Sequence, residues 1–225
     1  MPGKLFFVAT PIGNYDDITL RAIKVLKECD ILVCEEFKPG LRLLRHIGID
    51  KKPVSLNEHN EKESTEDLLQ ELYSGKNIAL FSDAGTPLFA DPGHYLFEMA
   101  IGSGIEVVII PGVSSIIPAI TGSGLKVESF FYRGWLSPKT EIRKNQLKDL
   151  KRIKEVIVLL ETPYRLLKLT EELISEFGDA KKIVLAYKLT TPEEKFLRGS
   201  LVFVRNQIKK LGLKGEFVFI LDNRY

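Results

Sequence analysis

The chain has 225 residues, of which 44% are hydrophobic and 28% charged, and its net charge at pH 7 is +2. This length suits one large α/β unit or two small domains, and the composition excludes disorder, collagen and coiled coil. No apolar run approaches the roughly 18 residues of a membrane span, so we expect a soluble protein that has no membrane partner.

In the first half, short apolar runs alternate with helical patterns. The apolar runs are Leu5–Ala9, Ile31–Cys34, Ile78–Phe81 and Val107–Ile110, and the helical patterns include Thr19–Lys27, Glu66–Tyr73 and His94–Ile101. This rhythm is typical of βαβ units. It predicts a largely parallel, buried sheet.

The second half is more varied and predicts a mixed sheet with antiparallel pairing. Its predicted elements are a short helix after Gly112, an aromatic run Phe130–Tyr132, a basic helix from about Ser137, strands at Val156–Leu160, Ile183–Tyr187 and Glu216–Leu221, a helix at Tyr164–Phe177, and a hairpin near Glu194–Val204. We therefore expect two α/β lobes, residues 1–115 and residues 116–225.

Charge is distributed unevenly between these halves. Residues 1–112 carry 11 Lys and Arg against 17 Asp and Glu, whereas residues 113–225 carry 21 against 13. An acidic part joined to a basic part suggests lobes with different tasks. The basic lobe is the candidate for contacting phosphates.

Turn segments rich in Gly and Pro follow the carboxyl ends of three predicted strands. They are Thr10–Asn14, Ser82–Pro87 together with Asp91–Gly93, and Pro111–Ser115. Ligands of open α/β sheets bind at this edge. Gly also lets the main chain approach a ligand closely, and Pro fixes the turn. Three such loops predict a site for a polar small molecule.

Several familiar site types are disfavoured. The chain has no G-x-x-x-x-G-K-[ST] and no G-x-S-x-G segment, and Gly102-Ser-Gly104 and Gly122-Ser-Gly124 lack the third glycine of a dinucleotide fingerprint. Cys29 and Cys34 are too few for a disulfide framework or a thiolate metal site, and the three histidines are scattered. We predict no metal and a reducing, cytoplasmic location.

Three motifs carry a family resemblance. The segments Val8–Ala22, Phe81–Gly93 and Ile110–Ser115 resemble the tetrapyrrole methylase superfamily, and more narrowly its 16S rRNA 2′-O-ribose cytidine methyltransferases. The resemblance continues through Ser123–Leu125, Phe131–Lys139, Leu160–Arg165 and Lys214–Phe217. It therefore covers nearly the whole chain.

The resemblance implies a homodimeric methyltransferase that binds S-adenosylmethionine in the cleft between two α/β lobes. The cofactor positions that it implies are Ile12, Asp83, Gly85, Thr86, Ser114, Ser115, Leu160 and Ala186. Asp83 is suited to accept hydrogen bonds from hydroxyl or amino groups. Ser114 and Ser115 stand where a helix begins, where a hydroxyl either caps the helix or binds a ligand.

The acceptor side is predicted from polar residues near the same loops and from a basic helix. Candidate substrate contacts are Asn14, Asp17, Glu36, Lys139 and Arg143. A ribose hydroxyl must lose its proton on methylation, and Asp17, Glu36, Asp91 and Lys188 are candidates to receive it. Each of these four is equally suited to a helix cap or a surface ion pair, so no catalytic base is singled out.

The candidate RNA surface is the stretch Lys139–Lys154, which holds seven basic and two acidic residues. Tyr132, Arg133 and Trp135 precede it and are suited to stack on an unpaired base. A basic helix beside aromatic side chains is a plausible phosphate-contacting surface, and a solvated helix over core aromatics is the alternative.

Two segments depart from the pattern of the ribosomal branch. Glu35–Lys38 replaces an acidic residue followed by Asp-Thr-Arg, and Tyr187–Thr191 replaces Arg-Glu-Leu-Thr-Lys. The chain also ends at Tyr225, just after its last predicted strand, where many members continue into a helical extension. Ribose methylation of 16S rRNA in the small ribosomal subunit remains the leading prediction. The alternatives are methylation of a tetrapyrrole-like small molecule and cofactor binding without catalysis.

Overall fold

Two segments of the chain fold as separate units, Met1–Ser114 and Ser115–Tyr225, one residue from the predicted boundary. The computed structural model describes residues 1–89 and 91–225. Within these residues, no helix is long and apolar enough to cross a membrane.

The first unit is built on a five-stranded parallel sheet of order β3-β2-β4-β1-β5. Its strands are β1 Leu5–Val8, β2 Ile31–Cys34, β3 Val54–Ser55, β4 Ile78–Phe81 and β5 Val107–Ile110, and its helices are α1 Leu20–Glu28, α2 Phe37–His46, α3 Glu61–Tyr73 and α4 His94–Gly102. The predicted parallel sheet is confirmed.

Helices cover both faces of this sheet. Leu26 of α1 and Leu44 of α2 share one apolar cluster with Val8, whereas Leu72 of α3 and Leu96 of α4 share another cluster that includes Phe7. Successive residues of a strand point to opposite faces, so an uninterrupted apolar strand can supply both clusters. This explains why the strands were visible in the sequence as continuous apolar runs.

Helix α2 was not among the predicted elements, because it contains Pro39 and Gly40. The proline lies in the first turn, where a helix does not use the backbone N–H as a hydrogen-bond donor. At Gly40, a β-carbon would lie 2.9 Å from Sγ of Cys34 and 3.3 Å from the Phe81 ring. The glycine therefore lets α2 approach the sheet closely.

The second unit has a mixed sheet of order β6-β7-β10-β8-β9, in which only the β6–β7 pair among the described strands is parallel. Its strands are β6 Phe130–Trp135, β7 Val156–Glu161, β8 Lys182–Tyr187, β9 Lys195–Ser200 and β10 Phe217–Asp222, and its helices are α5 Ile116–Ser123, α6 Thr140–Leu150, α7 Leu166–Phe177 and α8 Leu201–Leu211. The predicted mixed sheet is confirmed.

One face of the mixed sheet packs on three helices. Leu147 of α6, Leu173 of α7 and Leu201 of α8 form a buried cluster with alternate strand residues such as Leu159 and Phe219. Helix α5 packs against β8 and β10. The second unit therefore has its own hydrophobic core.

The predicted hairpin near Glu194–Val204 is wrong in its second half. Lys195–Ser200 is a strand that pairs antiparallel with β8, but the chain then enters α8 at Leu201. The Ser200 hydroxyl accepts a hydrogen bond from the Phe203 N–H and so caps the helix. The buried residues Val204 and Ile208 are spaced four residues apart, as on one face of a helix. The apolar run at the start of α8 instead suggested a strand.

Candidate functional site

The loops that follow β1 and β4 are joined by main-chain hydrogen bonds. The Thr10 N–H donates to the Gly85 carbonyl at 2.9 Å, and the Gly85 N–H donates to the Thr10 carbonyl at 3.1 Å. The buried Thr10 hydroxyl also donates to the Ser82 carbonyl at 2.8 Å. Because β1 and β4 are neighbouring parallel strands, their carboxyl ends meet, and these bonds fix both loops at one edge of the sheet.

Three of the residues predicted to contact the cofactor come together here. Gly85 has a φ of +88°, which favours glycine, and a β-carbon at this position would lie 3.4 Å from Cγ2 of Ile12. The Thr86 hydroxyl donates to the Val113 carbonyl at 3.2 Å, so the loop after β5 joins the group. Such glycine-lined loops fit a small polar ligand, since they bring main-chain N–H and C=O groups close to it.

The loop after β5 also runs close to β1. A β-carbon on Gly112 would lie 3.0 Å from the β-carbon of Ala9. Ser114 and Ser115 are half-buried, and Ser115 directly precedes α5. The structure thus places the loop that leads to both predicted serines beside the carboxyl end of β1.

Asp83 lies half-buried among other acidic side chains. The Glu36 N–H donates to its Oδ1 at 3.4 Å. Burial raises the pKa of Asp83 to about 6, the Glu36 N–H opposes this shift, and the charges of Glu36 and Asp91 add to it. Burial and the charge of Asp83 also raise the pKa of Glu35. The Asp83 carboxylate is therefore poorly neutralised and suited to accept hydrogen bonds from a cationic ligand.

Asp91 has a structural contact that reduces its value as a base. The Ser82 hydroxyl donates to Oδ2 of Asp91 at 2.7 Å, and the Ala84 N–H donates to the same hydroxyl at 3.1 Å. Burial raises the pKa of Asp91, and the Ser82 hydrogen bond opposes that shift. This carboxylate thus holds the loop that carries Asp83.

The remaining predicted substrate contacts of the first unit lie at its surface. Asn14 accepts a hydrogen bond from the Asp16 N–H and caps a short 3-10 turn at Tyr15–Asp17, of which Asp17 is exposed. Glu36 is exposed at the start of α2. Of these three residues, Glu36 is the one that hydrogen-bonds to Asp83.

Sequence reasoning missed Glu61, which supports the loop after β4. Its Oε1 accepts hydrogen bonds from the Gly93 N–H at 2.8 Å and the Tyr95 N–H at 3.0 Å, at the start of α4. A carboxylate in this place satisfies otherwise unpaired N–H groups and suits the positive end of the helix dipole. The two partners lie 32 and 34 residues away along the chain, so a local sequence pattern does not predict this contact.

In the second unit, two predicted cofactor residues lie in one row. Val218 of β10 pairs with Leu160 of β7 on one side and with Ala186 of β8 on the other. These side chains point away from the face that packs on α6, α7 and α8, since their neighbours Leu159 and Leu185 belong to that cluster. They form an apolar strip across three strands.

Lys188, a candidate proton acceptor, follows β8 with a φ of +46°. Its ammonium group lies 3.1 Å from the Glu193 carboxylate, and its N–H donates to the Glu216 carbonyl at 2.8 Å. Thr190 also has a positive φ, of +65°, which is uncommon for a β-branched residue. The segment Tyr187–Thr191, which differs from the pattern of the ribosomal branch, thus forms a tight turn after β8.

The prediction that Arg143 contacts RNA is wrong. This side chain is 1% exposed, and its Nε and one terminal nitrogen each lie 2.7 Å from an oxygen of Glu172. Its other terminal nitrogen donates to the Ser137 and Pro138 carbonyls. All of its nitrogen atoms donate hydrogen bonds to protein atoms, so Arg143 stabilises the packing of α6 against α7.

The remaining basic surface of α6 is partly neutralised. Lys144 pairs with Glu141, Lys151 with Glu176 and Arg152 with Asp149. Lys139 is exposed at the start of the helix and stays a predicted RNA contact. Of the preceding aromatic residues, Trp135 is 42% exposed, whereas Tyr132 is half-buried with its ring over Gly134.

Both cysteines are buried and free, and burial raises the pKa of each thiol to about 12. They act as small apolar side chains. In the part of the chain that the structure describes, no group of three or more His, Cys, Asp or Glu side chains is placed to hold a metal ion.

Two solved structures are similar to the whole chain. A cobalt precorrin-4 methyltransferase, described as a cobalamin biosynthetic enzyme, superposes with a TM-score of 0.73 at 19% identity over 97% of this chain and 94% of its own. A uroporphyrin-III C-methyltransferase from Thermus thermophilus, complexed with S-adenyl homocysteine, gives 0.68 at 19% identity over 97% of both chains. At this identity the likeness shows a shared fold.

Sequence comparison gives nearer relatives. A protein of Halalkalibacterium halodurans is 38% identical over 98% of this chain and 76% of its own length, and one of Thermotoga maritima is 37% identical over 99% of both. Each is named Ribosomal RNA small subunit methyltransferase I. Residues 4–202 match the family described as Tetrapyrrole (Corrin/Porphyrin) Methylases. With the fold, the loop set and the relatives in agreement, the chain belongs to the tetrapyrrole methylase family, whose members are S-adenosylmethionine-dependent methyltransferases.

Proposed function

We propose that this methyltransferase methylates a ribose 2′-hydroxyl of 16S rRNA in the small ribosomal subunit. The observation that carries the proposal is the match to relatives named Ribosomal RNA small subunit methyltransferase I, at 37–38% identity along 98–99% of this chain. Such similarity along the whole chain exceeds that to the porphyrin and corrin enzymes, which is 19%.

Residues of both units are proposed to hold S-adenosylmethionine. In the first unit they are Ile12, Asp83, Gly85, Thr86 and Ser114, and in the second Ser115, Leu160 and Ala186. The loop residues support this proposal through the Thr10–Gly85 bridge and the positive φ of Gly85. The apolar strip around Val218 suits the less polar parts of the cofactor.

The chemistry needs positioning more than covalent help from the protein. The cofactor, when bound, supplies an electrophilic methyl group for in-line displacement by an oxygen nucleophile. The Asp83 carboxylate would fix a polar group of the cofactor, and the glycine loops would exclude water around it. The hydroxyl proton passes to solvent or to a nearby group, for which Asp17, Glu36 and Lys188 remain the candidates, because Asp91 is held by Ser82.

The charge of the second unit supports an RNA acceptor. Residues 113–225 carry 21 basic against 13 acidic side chains. A basic domain attracts a phosphate backbone over a distance of about 10 Å at moderate salt. The excess of basic side chains therefore favours a polyanionic acceptor such as RNA.

The proposal is tested with small ribosomal subunits from a strain that lacks this protein. Subunits, naked 16S rRNA and uroporphyrinogen are each incubated with S-adenosylmethionine labelled in its methyl group, and labelled RNA is mapped after nuclease digestion. We expect label on a ribose of the subunit. The Asp83→Ala variant, which should bind cofactor weakly, serves as the matched negative control.

Each other result identifies an alternative. Label on uroporphyrinogen alone would make the protein a small-molecule methyltransferase. Label on no acceptor, from protein shown by calorimetry to bind the cofactor, would indicate binding without catalysis. Label on an RNA base would keep the substrate and overturn the ribose assignment.

We further propose that the protein is a cytoplasmic homodimer. A ribosomal acceptor would place it in the cytoplasm. Strand β5 is an edge of its sheet, and its Ile109 side chain is 50% exposed. Apolar edge strands are prone to association, and a second copy would cover one. Sedimentation equilibrium of the wild type and of Ile109→Lys tests this, and a wild-type monomer would refute it.

A further inference from the structure

A groove in the second unit lies between the turn at Pro163–Arg165, the start of α7 and the end of α8. Its volume is about 740 Å³, and its apolar lining includes Leu167, Ile208 and Leu213. Pockets of about 300–1,000 Å³ are typical of sites for small ligands or single nucleotides. The cofactor and acceptor residues described above do not line this groove.

Tyr164 stands at the rim of the groove with its ring in solvent. It is 81% exposed. This turn is held firmly: the Arg165 guanidinium lies 2.6 Å from the buried Glu161 carboxylate, and its Nε donates to the Thr162 hydroxyl at 3.2 Å. The guanidinium also lies 5.7 Å from the centre of the Tyr164 ring. The turn therefore places an exposed aromatic ring at the rim of the groove.

The charged side chains that line the groove are both lysines. Lys209 and Lys214 line it, no acidic residue among the described ones does so, and Lys210 follows directly. Lys209 pairs with Glu171 at 3.1 Å, but both side chains are about half exposed, so solvent screens the pair and Lys209 still attracts anions. The end of α8 at Gly212 is open, since a β-carbon there would meet no atom within 4 Å.

We propose that this groove binds one unpaired nucleotide of single-stranded RNA. The base stacks on the Tyr164 ring over the apolar floor, and the neighbouring phosphates contact Lys209 and Lys214. Aromatic stacking and flanking lysines are the combination by which proteins bind unpaired nucleotides. The inference deepens the proposed function, because it supplies a contact for the RNA acceptor outside the predicted surface of α6.

The test measures RNA binding and so does not depend on methyl transfer. The probe is a fluorescein-labelled single-stranded RNA of about 12 nucleotides of mixed sequence, followed by fluorescence anisotropy. We expect Tyr164→Ala to weaken binding about tenfold or more, and Tyr164→Phe to bind as the wild type does, because the ring and not the hydroxyl stacks. Lys209→Gln with Lys214→Gln should lower the slope of log Kd against log salt by about 1.4, or about 0.7 for each phosphate.

Matched controls come from the first unit. Tyr73 is 55% exposed, so Tyr73→Ala removes an exposed ring elsewhere. Lys24 and Lys76 each lie near a glutamate, as Lys209 does, so Lys24→Gln with Lys76→Gln matches the loss of charge. Both controls should bind the RNA as the wild type does.

Three results would overturn the inference. The first is equal RNA affinity of Tyr164→Ala and the wild type. The second is RNA binding so weak that the wild type and the double lysine variant cannot be distinguished. The third is a change from dimer to monomer in Tyr164→Ala, which would make the groove an interface between copies. Failure of methyl transfer with RNA binding intact would instead count against the proposed function alone. If the wild type transfers methyl groups to subunits but Tyr164→Ala binds the RNA as tightly as the wild type does, the groove is refuted and that function still stands.

Discussion

The Arg143 guanidinium and the Glu172 carboxylate form a two-pronged ion pair, with both nitrogen–oxygen distances at 2.7 Å. The side chain of Arg143 is 1% exposed and that of Glu172 is 15% exposed. This pair joins α6 to α7 beneath the surface. Glu172 strongly favours the charged guanidinium through its hydrogen bonds and its charge, which raises the pKa of Arg143 despite burial.

Replacing Arg143 with Met should lower the free energy of unfolding by about 3–5 kcal/mol, because Glu172 would be left as a nearly buried, unpaired charge. Urea denaturation followed by circular dichroism measures the loss. Lys144→Met is the control, since Lys144 is 54% exposed and its pair with Glu141 should contribute less than about 1 kcal/mol. Equal losses for the two variants would contradict the buried role of Arg143.

Asp83→Asn should make the cofactor-free protein more stable at pH 7. The folded protein raises the pKa of Asp83 from 3.8 to about 6, so it holds the proton more tightly than the unfolded chain does. The free energy of unfolding therefore falls as the pH rises from about 4 to 6, and above pH 6 the cost is fully present. Removing the charge should recover about 1 kcal/mol at pH 7, after allowance for solvent screening, and nothing near pH 3.5.

The same variant should bind S-adenosylmethionine more weakly at pH 7, since an ionised carboxylate accepts stronger hydrogen bonds than an amide. Wild-type affinity should fall as the pH drops below 6, whereas that of Asp83→Asn should not. Titration calorimetry from pH 5 to pH 8 gives both profiles. Asp50→Asn, at an exposed position, is the control. Identical profiles for the wild type and Asp83→Asn would remove Asp83 from the cofactor site.

Gly40→Ala and Gly102→Ala should change stability in opposite directions. At Gly40 the new methyl group would lie 2.9 Å from the buried Cys34 sulfur, so we expect a loss of about 1–3 kcal/mol. At Gly102, the last residue of α4, a β-carbon meets no atom within 4 Å, and the better helix propensity of Ala should add up to about 1 kcal/mol. Thermal denaturation of both variants checks the signs, and a stable Gly40→Ala would show that α2 can move away from the sheet.

Lys51 caps the carboxyl end of α1. Its ammonium group donates to the carbonyls of Lys27 and Cys29, each at 2.6 Å, and lies 3.4 Å from that of Leu26. Lys51→Met should lower the free energy of unfolding by about 1–2 kcal/mol, because these carbonyls lose a charged donor at the negative end of the helix. Lys52→Met, at an exposed position, should change it little. Equal urea midpoints for the two variants would rule out the cap.

The strands of the parallel sheet could be predicted closely, because a strand buried on both faces needs an uninterrupted apolar run. Ile31–Cys34, Ile78–Phe81 and Val107–Ile110 have the predicted bounds. Helix α2 could not be predicted in this way, because Pro39 and Gly40 usually mark a turn. Only the closeness of Cys34 and Phe81 in the fold explains why glycine is needed there.

The loops that form the candidate site could be predicted from the sequence, but the contacts of individual side chains could not. Parallel strands bring their carboxyl ends together, so the convergence of Ile12, Gly85 and Thr86 follows from topology. The burial of Arg143 does not follow from its neighbours, because its partner Glu172 lies 29 residues further along the chain. A count of charges along α6 could not separate this buried guanidinium from the exposed lysines.

Each sheet contains a strand whose two neighbours lie far away along the chain. Strand β1 pairs with β4 and β5, which begin at Ile78 and Val107, so its second partner follows it by about 100 residues of synthesis, or roughly 5–20 s at cellular rates. Strand β10 lies between β7 and β8 and follows both of them along the chain. On the ribosome, β1 therefore waits for its first partner until β4 emerges and for its second until β5 emerges, and the sheet of the second unit lacks its middle strand until β10 is made.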